Sequence, residues 1–296
     1  MLLPFKKSEP LDRAVRRICR QHLGLALTCL RQSKHSVAAH AVRKEIQKLR
    51  AILRLVRGQI SPDLYRLTVK PLRQAAKLLA APRDAQVMLV TFRKLAGPAA
   101  DRKFPQIDRA LHKYRRQELC RFRDDDGVAA AKMILKKVNR RVALLEFAGE
   151  GWPALAPGLR QSYAGAQQDY EAVRIKSSTK NLHAWRKKAK IFRDQLRLLA
   201  PKPQLAADPL LSGLMQITDL LGDDHDLSVL AEFIADQSGG QGTPQTQLRK
   251  LIALRQNGLR AAAVQLGARL FAEKPAAVCA QLERQWHHWQ GPMVSR

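Results

Sequence analysis

An all-α fold is what the sequence predicts: two helical bundles of about four or more helices each, which set two cationic helices facing one another across a shared space. Three observations predict it. A sixteen-residue stretch, His40 to Leu55, recurs as His183 to Leu198 with eight identical positions, where chance would give about one. At ~100° per residue, both copies sort into an apolar back and a cationic front. The match also extends beyond the stretch: Asp84 follows His40 by 44 residues and Asp226 follows His183 by 43, with Leu79 and Leu221 five before and Val87 and Val229 three after. A duplicated helical unit of roughly 140 residues follows from this spacing.

The elements read in order as follows. Leu11 to Arg31 forms a first helix carrying Arg13, Arg16, Arg17 and Arg20. The helix opened by His40 runs to Arg57, where Gly58 stops it. Ser61-Pro62-Asp63 starts the next, which bears a second cationic stripe, Arg66, Lys70, Arg73 and Lys77. Pro82-Arg83-Asp84 is expected to break that helix, with Asp84 capping another that runs to Leu95. Gly97-Pro98 is a loop, and a helix from Pro105 to Arg123 carries Arg109, Lys113, Arg115 and Arg116. Asp124 to Gly127 is a turn, and Val128 to Phe147 closes the half. The breaker-rich Gly149-Glu150-Gly151-Trp152-Pro153 marks the boundary between repeats 10–150 and 151–290 of one domain spanning 10–290.

In the second half, Pro157 to Val173 is a helix, and the His183 helix ends near Pro201. A helix over Pro209 to Leu221 is expected to stop at Gly222-Asp223-Asp224-His225-Asp226, a break and cap before Leu227 to Asp236. Ser238 to Thr243 is a Gly-rich loop and the stretch expected to move most. Helices over Gln245 to Phe271 and Ala276 to Trp289 complete the chain.

On the cationic fronts stand His40, Arg43, Lys44, Gln47, Arg50 and Arg54, and then His183, Arg186, Lys187, Lys190, Arg193 and Arg197; Asp194 is the one acid found there. Trp185 and Phe192 lie on the apolar back and read as core. A merely solvated face mixes signs, because like charges one turn apart weaken a helix. Two unmixed fronts behind equivalent histidines call for an anion that neutralises them.

Composition agrees. The 296 residues hold 53 Lys and Arg against 25 Asp and Glu, a formal charge of +28, with 34 basic and 13 acidic residues in positions 1–150. A field of that sign predicts a polyanionic partner: nucleic acid, inorganic polyphosphate or an anionic membrane. No apolar run of ~20 residues exists to span a membrane, and the start is too short in apolar residues for a signal peptide. Cys19, Cys29, Cys120 and Cys279 form no metal-ligand pattern and read as reduced, mostly buried thiols of a cytoplasmic protein.

The motifs that carry a resemblance are His40-x-x-Arg43-Lys44 with Arg50 and Arg54, then Leu79-x-x-Pro82-Arg83-Asp84-x-x-Val87. In the second half they are Leu182-His183-x-Trp185-Arg186-Lys187-x-x-Lys190 with Leu198-Leu199, then Leu221-Gly222-x-x-x-Asp226-x-x-Val229. From Leu11 to Trp289 the chain resembles the conserved-histidine α-helical domain family, CHAD. The resemblance implies two pseudo-twofold-related bundles around a basic central cavity, non-catalytic binding of inorganic polyphosphate, and association with polyphosphate granules and their proteins. Gln47 stands where the first motif usually has a basic residue, with Lys48 adjacent, and Ala80 and His225 also depart from the pattern. Many members carry an N-terminal triphosphate-tunnel domain with a Glu-x-Glu-x-Lys signature; none occurs here, so the resemblance is to a stand-alone member.

The expected polyphosphate-binding set is therefore His40, Arg43, Lys44, Gln47, Lys48, Arg50, Arg54, Arg73, Lys77, Lys113, Arg116, His183, Arg186, Lys187, Lys190, Arg193 and Arg197, with no catalytic residue, metal or cofactor. Arginine grips two phosphate oxygens at once, and lysine acts as a mobile charge. His40 and His183 could be structural hydrogen-bonders, phosphate donors or, without an activating acid at a matching offset, phospho-acceptors. Asp223-Asp224-x-Asp226 reads as turn and cap rather than a cation site. Two other functions stay open: a general RNA or DNA binder, although aromatic residues are only 5%, and a phosphatase or kinase acting on polyphosphate, for which no catalytic set is evident.

Overall fold

In a computed structural model, residues 4–32, 35–124, 127–199, 208–236 and 243–291 are described. Twelve α-helices and one 3₁₀ turn, and no strand, occur among the described residues. The helices are α1 (Leu11–Gln32), α2 (His35–Leu55), α3 (Pro62–Leu78), α4 (Ala81–Ala96), α5 (Ala100–Lys103), α6 (Pro105–Asp124), α7 (Gly127–Ala143), α8 (Gly151–Ile175), α9 (Thr179–Leu199), α10 (Pro209–Asp236), α11 (Thr243–Leu270) and α12 (Pro275–Gln290); the 3₁₀ turn Arg57–Gln59 follows α2.

Local chemistry sets several starts. Leu64 N–H donates to the Ser61 hydroxyl with Pro62 in the first turn of α3. Asn181 N–H donates to the Ser178 hydroxyl at the head of α9. The Asp208 carboxylate accepts from Leu210 and Leu211 N–H at the head of α10. Each side chain satisfies donors that an opening helical turn leaves bare.

Five boundaries differ from expectation, one of them the end of α7, which falls at Ala143 and not at Phe147. α2 begins five residues before His40, so the histidine stands inside the helix. α8 begins at Gly151, not Pro157; burial of Trp152 and Leu155 extends it upstream, and Pro157 lies within. The break between α3 and α4 falls at Leu79-Ala80, so Pro82, Arg83 and Asp84 form the first turn of α4. The N-cap is Ala80, without a side-chain bond, and Asp84 caps nothing. Proline in a first turn opens a helix as readily as it breaks one. Likewise α10 runs unbroken through Gly222 to Asp226. A helical glycine costs only about 1 kcal/mol, and burial of Leu221 in one core with Leu227 and Leu230 in the other outweighs it. The turn residues Asp125 and Asp126 and most of the Gly-rich loop, 238–242, lie outside the described residues.

α2 packs on α1, α9 packs on α8, and α2 and α9 pack on each other. Between them Gln195 Nε2 donates to the Ala51 carbonyl at 3.1 Å and Gln47 Nε2 donates to Asp194 Oδ2 at 2.5 Å. The apolar backs supply the main core: Val42, Ile46, Leu49, Ile52 and Leu53 from α2; Trp185, Phe192 and Leu196 from α9. α8 crosses the end of α2 so closely that a Cβ at Gly158 would lie 1.9 Å from the Leu55 carbonyl oxygen. A second core joins Leu89 and Phe92 of α4 and Leu111 of α6 to Leu227, Leu230 and Ile234 of α10 and Leu248 and Ile252 of α11. Both cores draw on residues from either side of position 150.

Candidate functional site

With their apolar backs fixed in the core, the fronts of α2 and α9 wall a cavity of about 900 Å³. α3, α4 and α10 complete the wall, and Asp169 of α8 reaches its rim. Ten Lys and Arg side chains line it against three aspartates, with three histidines. Such a surplus in a partly desolvated space is unfavourable without a counter-charge.

Eleven of the seventeen expected residues line the cavity: His40, Arg43, Lys44, Gln47, Arg50, Arg54 and Arg73, then His183, Arg186, Lys187 and Lys190. Six stand elsewhere. Lys48 reaches Glu45 at 2.6 Å, and Glu45 also holds buried His22 at 2.5 Å. Arg193 turns its Nε and Nη2 onto Asp194 Oδ1 and its Nη1 onto the Thr218 hydroxyl at 2.8 Å. Asp194 is buried, and the bond to Thr218 ties α9 to α10. Arg197 is half-buried on α9, and Lys77, Lys113 and Arg116 are exposed outside the cavity. The acids that take Lys48 and Arg193 lie on the same helices, Glu45 three residues before Lys48 and Asp194 directly after Arg193.

The structure adds lining residues that the sequence reading placed in turns or left unassigned: Tyr65, Arg83, Asp84, Lys188, His225 and Asp226. Asp84 and Asp226 carry a signal in the sequence, since they sit at matching offsets of the recurring motif, but the proline and glycine beside them mimic a helix break. The aspartates Asp223, Asp224 and Asp226 point three ways. Asp223 takes Lys94 at 2.7 Å, buried Asp224 takes Arg260 at 2.6 Å, and Asp226 faces the cavity. Among the described residues no three His, Cys, Asp or Glu side chains are placed to hold a metal ion.

Some cations have protein partners. Arg43 Nη1 donates to the Ala76 carbonyl at 2.5 Å, Arg83 bonds Asp84 at 3.0 Å and Lys188 bonds Asp169 at 3.2 Å. Among the described residues, the side chains of Lys44, Arg50, Arg54, Arg73, Arg186, Lys187 and Lys190 make no hydrogen bond or ion pair. Arg186 Nε and His183 Nδ1 are buried without a partner in the protein. The His183 ring lies 4.6 Å from that of His225. Among the described residues, neither the His40 nor the His183 side chain has a hydrogen-bond partner.

Proton affinities record the same strain. Burial, then Arg186 and Arg193, pushes the Lys190 ammonium down to about 8. Burial, then Arg186 and His183, pushes His225 down to about 4. Burial and neighbouring cations also lower His40, His183, Arg50 and Arg186. Asp226 moves the other way: burial raises it, against the pull of Arg83 and Arg186. A bound polyanion would reverse the cationic shifts by supplying the missing charge.

Three comparisons bear on this geometry. The profile of a family described as CHAD domain matches residues 11–235. The structure is similar to "PptA from Streptomyces chartreusis" at a TM-score of 0.68 and 16% identity, over 90% of this chain and 100% of that one. It is similar to a CHAD domain crystal structure from the plant Ricinus communis at a TM-score of 0.60 and 16% identity, over 96% and 95%. No curated protein matches the sequence.

Proposed function

Because the chain belongs to the CHAD domain family, we propose that it binds inorganic polyphosphate in the cavity between α2, α3, α4, α9 and α10, and does not turn it over. The observation that carries this reading is the lining itself: ten cations to three carboxylates, seven of the cations without a protein partner among the described residues. Polyphosphate offers acceptor oxygens only along its length and one negative charge per unit. Arginine and lysine offer donors only. The two match without any sequence being read.

Binding to nucleic acid is the competing reading. Single-strand binders stack bases on aromatic side chains, and Tyr65 is the one aromatic in the lining, with Arg57 already 5.2 Å over its ring. No described helix is long and apolar enough to cross a membrane. A place at polyphosphate granules in the cytoplasm, shared with granule proteins, and descent of the two halves from one repeated unit belong to the same proposal.

Equilibrium binding of long-chain polyphosphate tests it. The double variant Arg50→Glu/Arg186→Glu should lose affinity by roughly 100-fold or more, as loss of several phosphate contacts predicts. Single-stranded RNA should displace the polymer poorly; equal displacement would make the cavity a general polyanion sink. Release of phosphate during incubation with a divalent metal would instead identify an enzyme.

A further inference from the structure

We propose that the corner of the cavity formed by His183, Arg186 and Asp226 takes the end of a phosphate chain rather than its middle, with Asp226 accepting a hydrogen bond from the P–OH of the terminal group. This rests on the polyphosphate reading above and concerns which part of the polymer that corner recognises.

The lining contains three carboxylates, which a ligand made only of acceptor oxygens should disfavour. Two are already spoken for: Asp84 by Arg83 and Asp169 by Lys188. Asp226 alone lies beyond hydrogen-bond and ion-pair distance of every described cation, although Arg186 and Arg83 are its electrostatic neighbours. One turn before it on α10, Gly222 has no side chain, and a Cβ there would come only to 3.8 Å from Nε and Nη2 of Arg186. The glycine thus lets α10 run close against the guanidinium, whose Nε is buried with no partner in the protein. The His183 ring, tilted beside that of His225, likewise keeps a buried unpartnered Nδ1.

The corner thus presents an unsatisfied donor, an unsatisfied acceptor and an imidazole. Groups of this kind are costly to leave unpaired when buried. Interior phosphates of a chain are strong acids with no proton left at neutral pH, so they cannot satisfy Asp226. A terminal phosphate keeps a second proton that leaves only near neutrality. It can accept from Arg186 and His183 and donate to Asp226 at once. Arg50, Arg54 and Arg73 of α2 and α3, which pair with no described carboxylate, suit interior units.

The experiment compares linear hexaphosphate with the cyclic six-membered metaphosphate, which has no ends, at pH 6.5, together with long-chain polyphosphate. The wild-type protein should prefer the linear chain by about tenfold. Asp226→Ala should cut that preference several-fold while leaving the ring bound equally or more tightly. If Asp226→Ala instead tightens both ligands alike, the aspartate is only a repulsive charge and the proposal is overturned. Phosphorus NMR of the wild-type complex gives a readout free of any variant. The end-group resonances should shift on binding and cease to titrate near neutrality; end groups that titrate as in free chain would overturn the proposal too. Failure of all three ligands to bind would sink the polyphosphate reading itself, an outcome distinct from equal binding of ring and chain.

Discussion

At the scale of the residue, the cavity separates side chains that meet ligand from those that hold the wall. Arg193 belongs to the second kind. Its guanidinium spans Asp194 and Thr218, and Asp194 is buried. Arg193→Gln should therefore cost about 3 kcal/mol of stability, as breaking a buried ion pair does, with little change in polyphosphate affinity. Chemical denaturation and titration of the same variant check both parts. Lys190 belongs to the first kind. Its ordinary value of 10.5 falls to about 8 in the free protein, so the unfolded chain holds more protons between those values. Free-protein stability should then rise as pH passes from about 8 towards 10.5, and a bound polyanion should restore the proton. At pH 9, binding should take up protons, and Lys190→Met should reduce that uptake; calorimetry in two buffers of different ionisation enthalpy measures it.

At the scale of the element, the helices were legible where periodicity and capping agreed. The apolar backs of α2 and α9, with Trp185 and Phe192, entered the core as their spacing required. The short breaks were legible only in part. Pro82 and Gly222 look alike as breakers in the sequence, but one opens α4 and the other is crossed by α10. What decides is burial on either side, which local sequence does not show. The same limit applies to the site. The angular position of Lys48 or Arg193 can be read at ~100° per residue, but not whether its side chain turns to a ligand or to an acid on its own helix. Two glycines make the point testable. Gly158→Ala would drive a methyl into the Leu55 carbonyl and should cost about 3 kcal/mol or more, seen as a large fall in Tm. Gly222→Ala meets only Arg186 at ordinary contact distance and should gain roughly 0.5–1 kcal/mol, if α10 is continuous as described.

At the scale of the whole molecule, the charge acts at a distance and the cavity at contact. A formal +28 draws a polyanion towards the protein, and counterions released on docking make the affinity depend on salt. If about six phosphates are neutralised, at ~0.7 counterion each as for single strands, log K should fall against log salt with a slope of about −4. Titrations from low to moderate salt measure it, and a flat line would show that charge is not the main term. The two cores bear on how that encounter proceeds. Each is stitched from residues on both sides of position 150, and α2 and α9 are bonded through Gln195 and Gln47. Neither half owns a private interior, so opening the wall means breaking a shared one. The hollow is preset rather than moulded around its guest, and capture should proceed at the speed of collision, with no slow unlatching step before it.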